Sequence, residues 1–276
     1  MRRNTLVGEL WAEFFGTAVL ILLGNGVVAN TIFASRLGAP AAAPFSSYNW
    51  NTITWGWGLA VVIAVYMAGG ITGAHLNPAV TMAAIARRTI DAGKGLMYIV
   101  VQVVGAFFGG FLVHMLYMGN FNQGYKNAFY TGPAGGYENL VFNQYFSEFL
   151  GTFILVAGIY AIVDNIRNVG PGANLWPFMV GMLVLSIGLS LGGPTGYAIN
   201  PARDFGPRLY ASFFAGDAAA FKGGYFLVPI IGPLLGGVAG AFFYDFLVKP
   251  FLPVPSTIDP APLGADVPHA ATPESR

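Results

Sequence analysis

The tripeptide Asn-Pro-Ala occurs twice in this chain, at Asn77-Pro78-Ala79 and again 123 positions later at Asn200-Pro201-Ala202. Each copy reads as the start of a short helix. Asn is a strong N-cap, because its side-chain oxygen accepts from a first-turn N–H. Pro at the first helical position has its φ already set and gives up no needed donor. Two half-helices at corresponding places in an apolar chain mark a pore or transport site near mid-membrane. A single copy would be an ordinary cap.

Composition points to the same class. The chain is 55% hydrophobic and 9% charged, with a mean hydropathy of +0.61. Soluble domains carry about 25% charged residues. The net charge of +1 carries no signal for nucleic-acid or acidic partners. With no cysteine, there is neither a disulfide framework nor a Cys-based metal site to consider. His75, His114 and His269 are too scattered for a metal centre. No nucleophile–base pair or phosphate loop is present, so neither an enzyme nor a cofactor is expected. Basic residues Arg2 and Arg3 precede the first apolar run, but without a clear cleavage site it reads as a retained span.

Spanning a bilayer takes about 20 mostly apolar residues. Six stretches qualify, roughly 6–33, 50–70, 95–118, 143–164, 176–193 and 224–248. The half-helices fall between the second and third (about 77–87) and between the fifth and sixth (about 200–212). The predicted fold is an all-α integral membrane protein with six transmembrane helices and two re-entrant half-helices. A channel domain covers 1–249, with repeat one at about 6–118 and repeat two at about 143–248. The tail 250–276 is Pro-rich and is expected to be disordered. Ala12-Glu13-Phe14-Phe15-Gly16-Thr17 and Ser147-Glu148-Phe149-Leu150-Gly151-Thr152 share Glu-Phe-x-Gly-Thr, which supports a repeat. Three spans per half force the second copy to insert upside down, so the Asn-Pro-Ala ends meet from opposite sides. Arg2, Arg3, Arg87, Arg88, Lys94 and Arg167 fall on one side and Arg36, Lys126 and Lys222 on the other, once Arg203 and Arg208 are assigned to a re-entrant segment. Both termini are then cytoplasmic. Gly105 and Gly109, and Gly232, Gly236 and Gly240, recur every four positions. Such spacing permits close helix contact, either within a protomer or between subunits.

Asn77 and Asn200 can each aim an amide N–H₂ into a lumen, where both helix N-termini add partial positive charge. A neutral hydroxyl is accepted there and a cation or proton is repelled. The alternative is that both are only caps. Arg203, just after the second motif, is costly at mid-membrane, by about 2.5–3.5 kcal/mol or more; snorkelling to an interface is its alternative reading. Glu13 and Glu148 sit at matching places inside spans and should face polar partners, with interfacial anchoring as the other possibility.

The stretches Gly73-Ala74-His75-Leu76-Asn77-Pro78-Ala79-Val80-Thr81 and Asn200-Pro201-Ala202-Arg203-Asp204-Phe205-Gly206-Pro207 resemble the two signature loops of the major intrinsic protein family, the aquaporins and aquaglyceroporins. The resemblance runs over about 5–249 and is strongest to the bacterial glycerol-conducting members. It implies a homotetramer in a bacterial inner membrane, each protomer with its own pore. It also implies a constriction of Trp55, Gly188, Tyr197 and Arg203, in which two aromatics and a guanidinium form an amphipathic slot. Glu13 and Glu148 would accept loop N–H bonds. That would aim the carbonyls of Gly73, Ala74 and His75, and of Tyr197, Ala198 and Ile199, into the pore. Tyr117, Asp204, Arg208 and Pro229 match the glycerol class. Gly188 does so most of all, since water-selective members place His there and fill the slot. Tyr197 and Ile230 depart from the Phe and Leu of the bacterial members; the extra hydroxyl would narrow the slot or add a polar contact.

The expected function is therefore a passive channel for glycerol and similar small neutral solutes, with some water. A water-selective pore is the near alternative, while a coupled secondary transporter using Glu13 and Glu148, or a membrane-junction protein, would be different classes. Thiolate is the usual mercury ligand, and the chain has no cysteine. Mercurial reagents are expected to leave flux through the purified protein intact; a thiol-reversible block would contradict this.

Overall fold

The computed structural model describes residues 5–33, 49–122, 127–164 and 170–252. The tail from 253, and Arg2, Arg3, Arg36, Lys126 and Arg167, lie outside the described residues. Eight α-helices are present among those described: α1 (Leu6–Phe33), α2 (Trp50–Thr72), α3 (Pro78–Ala86), α4 (Ala92–Phe121), α5 (Val141–Asp164), α6 (Trp176–Leu191), α7 (Pro201–Phe214) and α8 (Val228–Leu247). Five segments, containing α1, α2, α4, α5 and α8, are long and apolar enough to cross a membrane. The predicted fifth span, α6, is shorter at 16 residues. That is about 24 Å of helix, and a turn at 193–195 followed by an irregular loop leads from it to Asn200.

The half-helices form where the repeated tripeptide places them. Asn77 caps α3 by accepting from the Ala79 N–H at 2.8 Å, and Asn200 caps α7 through the N–H groups of Ala202 at 3.0 Å and Arg203 at 3.2 Å. Pro78 and Pro201 each occupy the first helical position.

Packing follows the predicted repeat. Helix α1 packs on α2 and α4, as α5 packs on α6 and α8, and α2 meets α6 between the halves. Each half-helix also crosses over: α3 packs on α8, and α7 on α4. The two repeats are thus interlocked, and neither can bury its half-helix alone.

Glycine sets the helix spacing in both halves. A Cβ on Gly105 would strike the Phe14 carbonyl, and one on Gly109 would lie 2.6 Å from that of Ala18. Likewise, a Cβ on Gly236 or Gly240 would strike the carbonyl of Phe149 or Phe153. The four-residue glycine spacing therefore serves contact within the protomer. Phe14 and Phe149 directly follow Glu13 and Glu148, so these contacts also hold the carboxylates in register.

The exterior is apolar, and the largely apolar interior also holds completely buried polar groups. Glu13, Thr17, Thr81, Gln102, Glu148 and Thr195 are completely buried, while Leu116, Phe142 and Phe246 are exposed. Apolar side chains face outward where lipid would lie, and among the described residues the buried side-chain polar atoms find partners inside except Asn25 Oδ1, Gln102 Oε1 and the hydroxyls of Tyr197 and Tyr244.

Gly236→Leu is expected to destabilise the protein by at least about 1–3 kcal/mol, seen as a lower melting temperature in detergent. Gly26, whose added Cβ meets nothing within 4 Å, is the control. Gly26→Ala should leave the melting temperature unchanged or slightly raised.

Candidate pore and selectivity filter

The loops leading into the two half-helices are twins at the same 123-residue offset as the tripeptides. Gly73, Ala74 and Leu76 have φ of 80°, 53° and 50°; Gly196, Tyr197 and Ile199 have 81°, 39° and 42°. Left-handed conformations at non-glycine residues cost about 1–3 kcal/mol each, so something must hold these loops. Two buried carboxylates do. Glu13 accepts from the N–H groups of His75 at 3.0 Å and Leu76 at 2.8 Å, and from the hydroxyl of Thr72 at 2.5 Å. Glu148 accepts from the N–H groups of Ala198 at 2.9 Å and Ile199 at 2.7 Å, and from the hydroxyl of Thr195 at 2.7 Å. The anchoring alternative for these carboxylates fails, since neither has any exposed surface.

With their N–H groups drawn toward the carboxylates, the loop carbonyls turn the other way. Among the described residues no donor reaches the carbonyls of Gly73, Ala74, His75, Tyr197 or Ala198. Ile199 is different: its carbonyl accepts from the Asn77 amide at 2.8 Å, while that of Leu76 accepts reciprocally from Asn200 at 2.8 Å. The predicted Ile199 carbonyl is thus engaged across the repeat interface. An amide N–H₂ has two donors, which leaves each Asn one hydrogen for the lumen.

A narrow cavity of about 70 Å³ runs past these loops. Ala74, His75, Asn77, Tyr197, Ala198 and Asn200 line it on the loop side, and Leu20, Val61, Val65, Leu155, Val180 and Val184 supply apolar wall. Gly73, at the end of its loop nearest α2, is not part of the lining.

Arg203 lies in this lining and is 7% exposed. Its guanidinium sits 4.1 Å from the ring centroid of Trp57 and donates to the Phe129 carbonyl at 3.3 Å. The expected Trp55 is not here. It is 46% exposed, in an outer groove beside Leu59, Leu116 and Tyr117. Two positions along a helix turn a side chain by about 200°, so Trp55 and Trp57 face opposite ways, and Trp57 is the ring that lines the cavity under Arg203.

Gly188 also departs from expectation, as it does not line the cavity. It lies behind Tyr197: an added Cβ would be 2.7 Å from the ring Cζ and 2.9 Å from the hydroxyl. The space that Gly188 leaves open is filled by the tyrosine ring, not by solute. The Tyr197 hydroxyl is buried there, with no hydrogen-bond partner among the described residues. Trp50 closes the back of the ring, edge-on at 5.6 Å, and donates from its indole nitrogen to the Gly188 carbonyl at 3.2 Å.

Asp204 and Arg208 stand outside the lumen as a buried ion pair at 2.7 Å. Buried pairs are tolerated only when their remaining polar atoms are satisfied, and these are. Asp204 accepts from the N–H and the hydroxyl of Thr131, both at 2.7 Å. Arg208 donates to the carbonyls of Thr131 at 2.9 Å and Ala220 at 2.6 Å, and lies 3.9 Å over the Tyr130 ring. The pair therefore fixes the segment that carries the Phe129 carbonyl. Tyr117 interrupts α4 (φ −107°, ψ 18°) and stacks on Phe33, and Pro229 is buried in the first turn of α8; both lie away from the cavity.

Several supporting groups escaped the sequence reading. Thr72 and Thr195 share the 123-residue offset and were findable by it. Gln102, which donates to Glu13 at 2.9 Å and Thr81 at 3.0 Å, has no sequence signal.

This architecture is shared. The family model described as major intrinsic protein matches residues 1–244. The chain belongs to the major intrinsic protein family. Among relatives of this major intrinsic protein, a probable glycerol uptake facilitator protein of Thermotoga maritima is 43% identical over 244 residues, 86% of this chain and 97% of its own. The glycerol uptake facilitator protein of Escherichia coli K12 is 39% identical, over 91% of each chain. The solved structure of the aquaglyceroporin from Plasmodium falciparum superposes with a TM-score of 0.76 at 31% identity, covering 89% of this chain and 98% of that one.

Removing the ring under Arg203 should alter discrimination. Trp57→Ala is expected to raise water permeability and to weaken discrimination among polyols in reconstituted vesicles. Trp55→Ala should leave both as in the wild type. The reverse pattern would return Trp55 to the filter.

Proposed function

We propose that this protein is a passive channel of the aquaglyceroporin branch, conducting glycerol and similar small neutral polyols with some water and excluding ions and protons. The observation that carries this reading is the two-sided lumen at the meeting of the half-helices. Asn77 and Asn200 offer donors, the loop carbonyls offer acceptors along one wall, and the opposite wall is apolar. A polyol has the matching division, with hydroxyls on one edge and C–H groups on the other. At the filter, Arg203 donates to hydroxyls while the Trp57 and Tyr197 rings receive the carbon backbone. Exclusion of cations follows from the two helix N-termini and Arg203, which place positive charge where a permeating ion would be least hydrated. The glycerol facilitators of Thermotoga maritima and Escherichia coli and the Plasmodium aquaglyceroporin support the same substrate class.

The protein is a channel and not an enzyme, and a multi-pass membrane protein. We assign it to a bacterial inner membrane as a homotetramer with one pore per protomer and both termini cytoplasmic. The channel domain is assigned to 1–249.

Stopped-flow light scattering on reconstituted vesicles tests the function. Glycerol equilibration should proceed without any ion or proton gradient and scale linearly with concentration. Saturable uptake that requires a gradient would instead identify a coupled transporter. Water flux without glycerol flux would identify a water-selective pore.

A further inference from the structure

Asn25 lies in the C-terminal half of α1, an apolar helix long enough to cross a membrane, with no exposed surface. A polar side chain buried in a membrane helix is costly unless it is hydrogen-bonded. Its amide nitrogen donates to the Phe129 carbonyl at 2.9 Å, across 104 residues of sequence. That carbonyl is the one Arg203 holds at 3.3 Å. A carbonyl oxygen has two lone pairs, and here one goes to the guanidinium and one to Asn25.

The other end of the amide is informative. Among the described residues, no hydrogen-bond partner reaches the buried Asn25 Oδ1. Turning the amide over would not relieve it, because Oδ1 would then face the Phe129 carbonyl, oxygen against oxygen. The orientation is therefore set by the donor, and the unmet acceptor is the cost of delivering it. An apolar residue would avoid that cost if packing alone were required.

The neighbouring residue has a related task. Gly24 is buried against Trp57, and a Cβ there would collide with the indole ring. Consecutive residues of α1 thus touch the two groups that flank the guanidinium: Gly24 seats the ring beneath it and Asn25 holds the carbonyl that it bonds.

We propose that Asn25 is a positioning residue of the selectivity filter, acting through the Phe129 carbonyl to fix Arg203 over Trp57. This rests on the reading of Arg203 as the filter cation. Without the Asn25 donor, the carbonyl loses one of the bonds that orient it, and the guanidinium's acceptor is held less firmly. Glycerol, which needs hydroxyls and carbon backbone aligned at once, suffers more than water.

The test compares wild type with Asn25→Leu, which keeps the heavy-atom branching without the amide but is bulkier, and Asn25→Ala, which makes no steric demand. Glycerol and water permeabilities are measured in the same reconstituted vesicles, and the ratio is read. A purely structural role would lower both fluxes together through loss of folded protein and leave the ratio unmoved. The expected result is a fall of about three- to tenfold in the glycerol-to-water ratio for the folded variants, the size of one hydrogen bond. An unchanged or raised ratio in either folded variant overturns the proposal. So does failure of both variants to reach the folded state at wild-type yield, which would assign Asn25 to folding. A wild type that passes no glycerol would instead refute the channel reading, so the two failures are distinct.

Discussion

Two amide–carbonyl bonds, from Asn77 to Ile199 and from Asn200 to Leu76, join the halves of this protein at its centre, and the remaining geometry is arranged to make them possible. Each bond needs a half-helix that ends at the midplane, a loop twisted into left-handed backbone, and a carboxylate to hold that loop. Glu13 and Glu148 meet the last need. In an apolar interior a carboxylate attracts every donor it can reach, and here the donors are the loop N–H groups. Drawing them inward is what turns the free carbonyls toward the lumen. The pore lining is thus a consequence of how buried charge is satisfied.

Charge is handled differently at the outer constriction. Among the described residues no carboxylate contacts Arg203; it is held by a ring and by a backbone carbonyl. Asp204 is next in sequence but turns away to pair with Arg208. If Asp204 neutralised Arg203 directly, the guanidinium would have less positive field and fewer free donors for a passing hydroxyl. Coupling Asp204 to Arg208, and both to Thr131, leaves the Arg203 guanidinium free of that carboxylate while still fixing the segment that carries the Phe129 carbonyl.

The repeat was legible because it is written at constant offsets. Asn77 and Asn200, Gly73 and Gly196, and Thr72 and Thr195 are separated by one interval, while Glu13 and Glu148 stand at the head of matching helices. The predicted half-helices at 77–87 and 200–212 appear as Pro78–Ala86 and Pro201–Phe214. What failed to be read lies where repeat symmetry is broken. Tryptophans occur at positions 50, 55 and 57 of one helix, and only the rotational setting of α2 against α1 and α6 determines which ring meets Arg203. Gly188 was expected to leave room for solute. The room exists, but the Tyr197 ring takes it, a contact between a helix and a loop that spacing along the chain does not express.

By itself, the sequence determined the class: apolar spans of sufficient length, two capped half-helices, an odd number of spans per half and therefore an inverted repeat. These follow from local rules of capping, helix length and periodicity, each of which acts over a few residues. The tertiary structure alone decided which side chains face the lumen. A lumen-facing position is defined by the rotation of each helix about its own axis. That rotation is set by where Gly105, Gly109, Gly236 and Gly240 allow backbones to touch, and so by contacts between residues far apart in the chain.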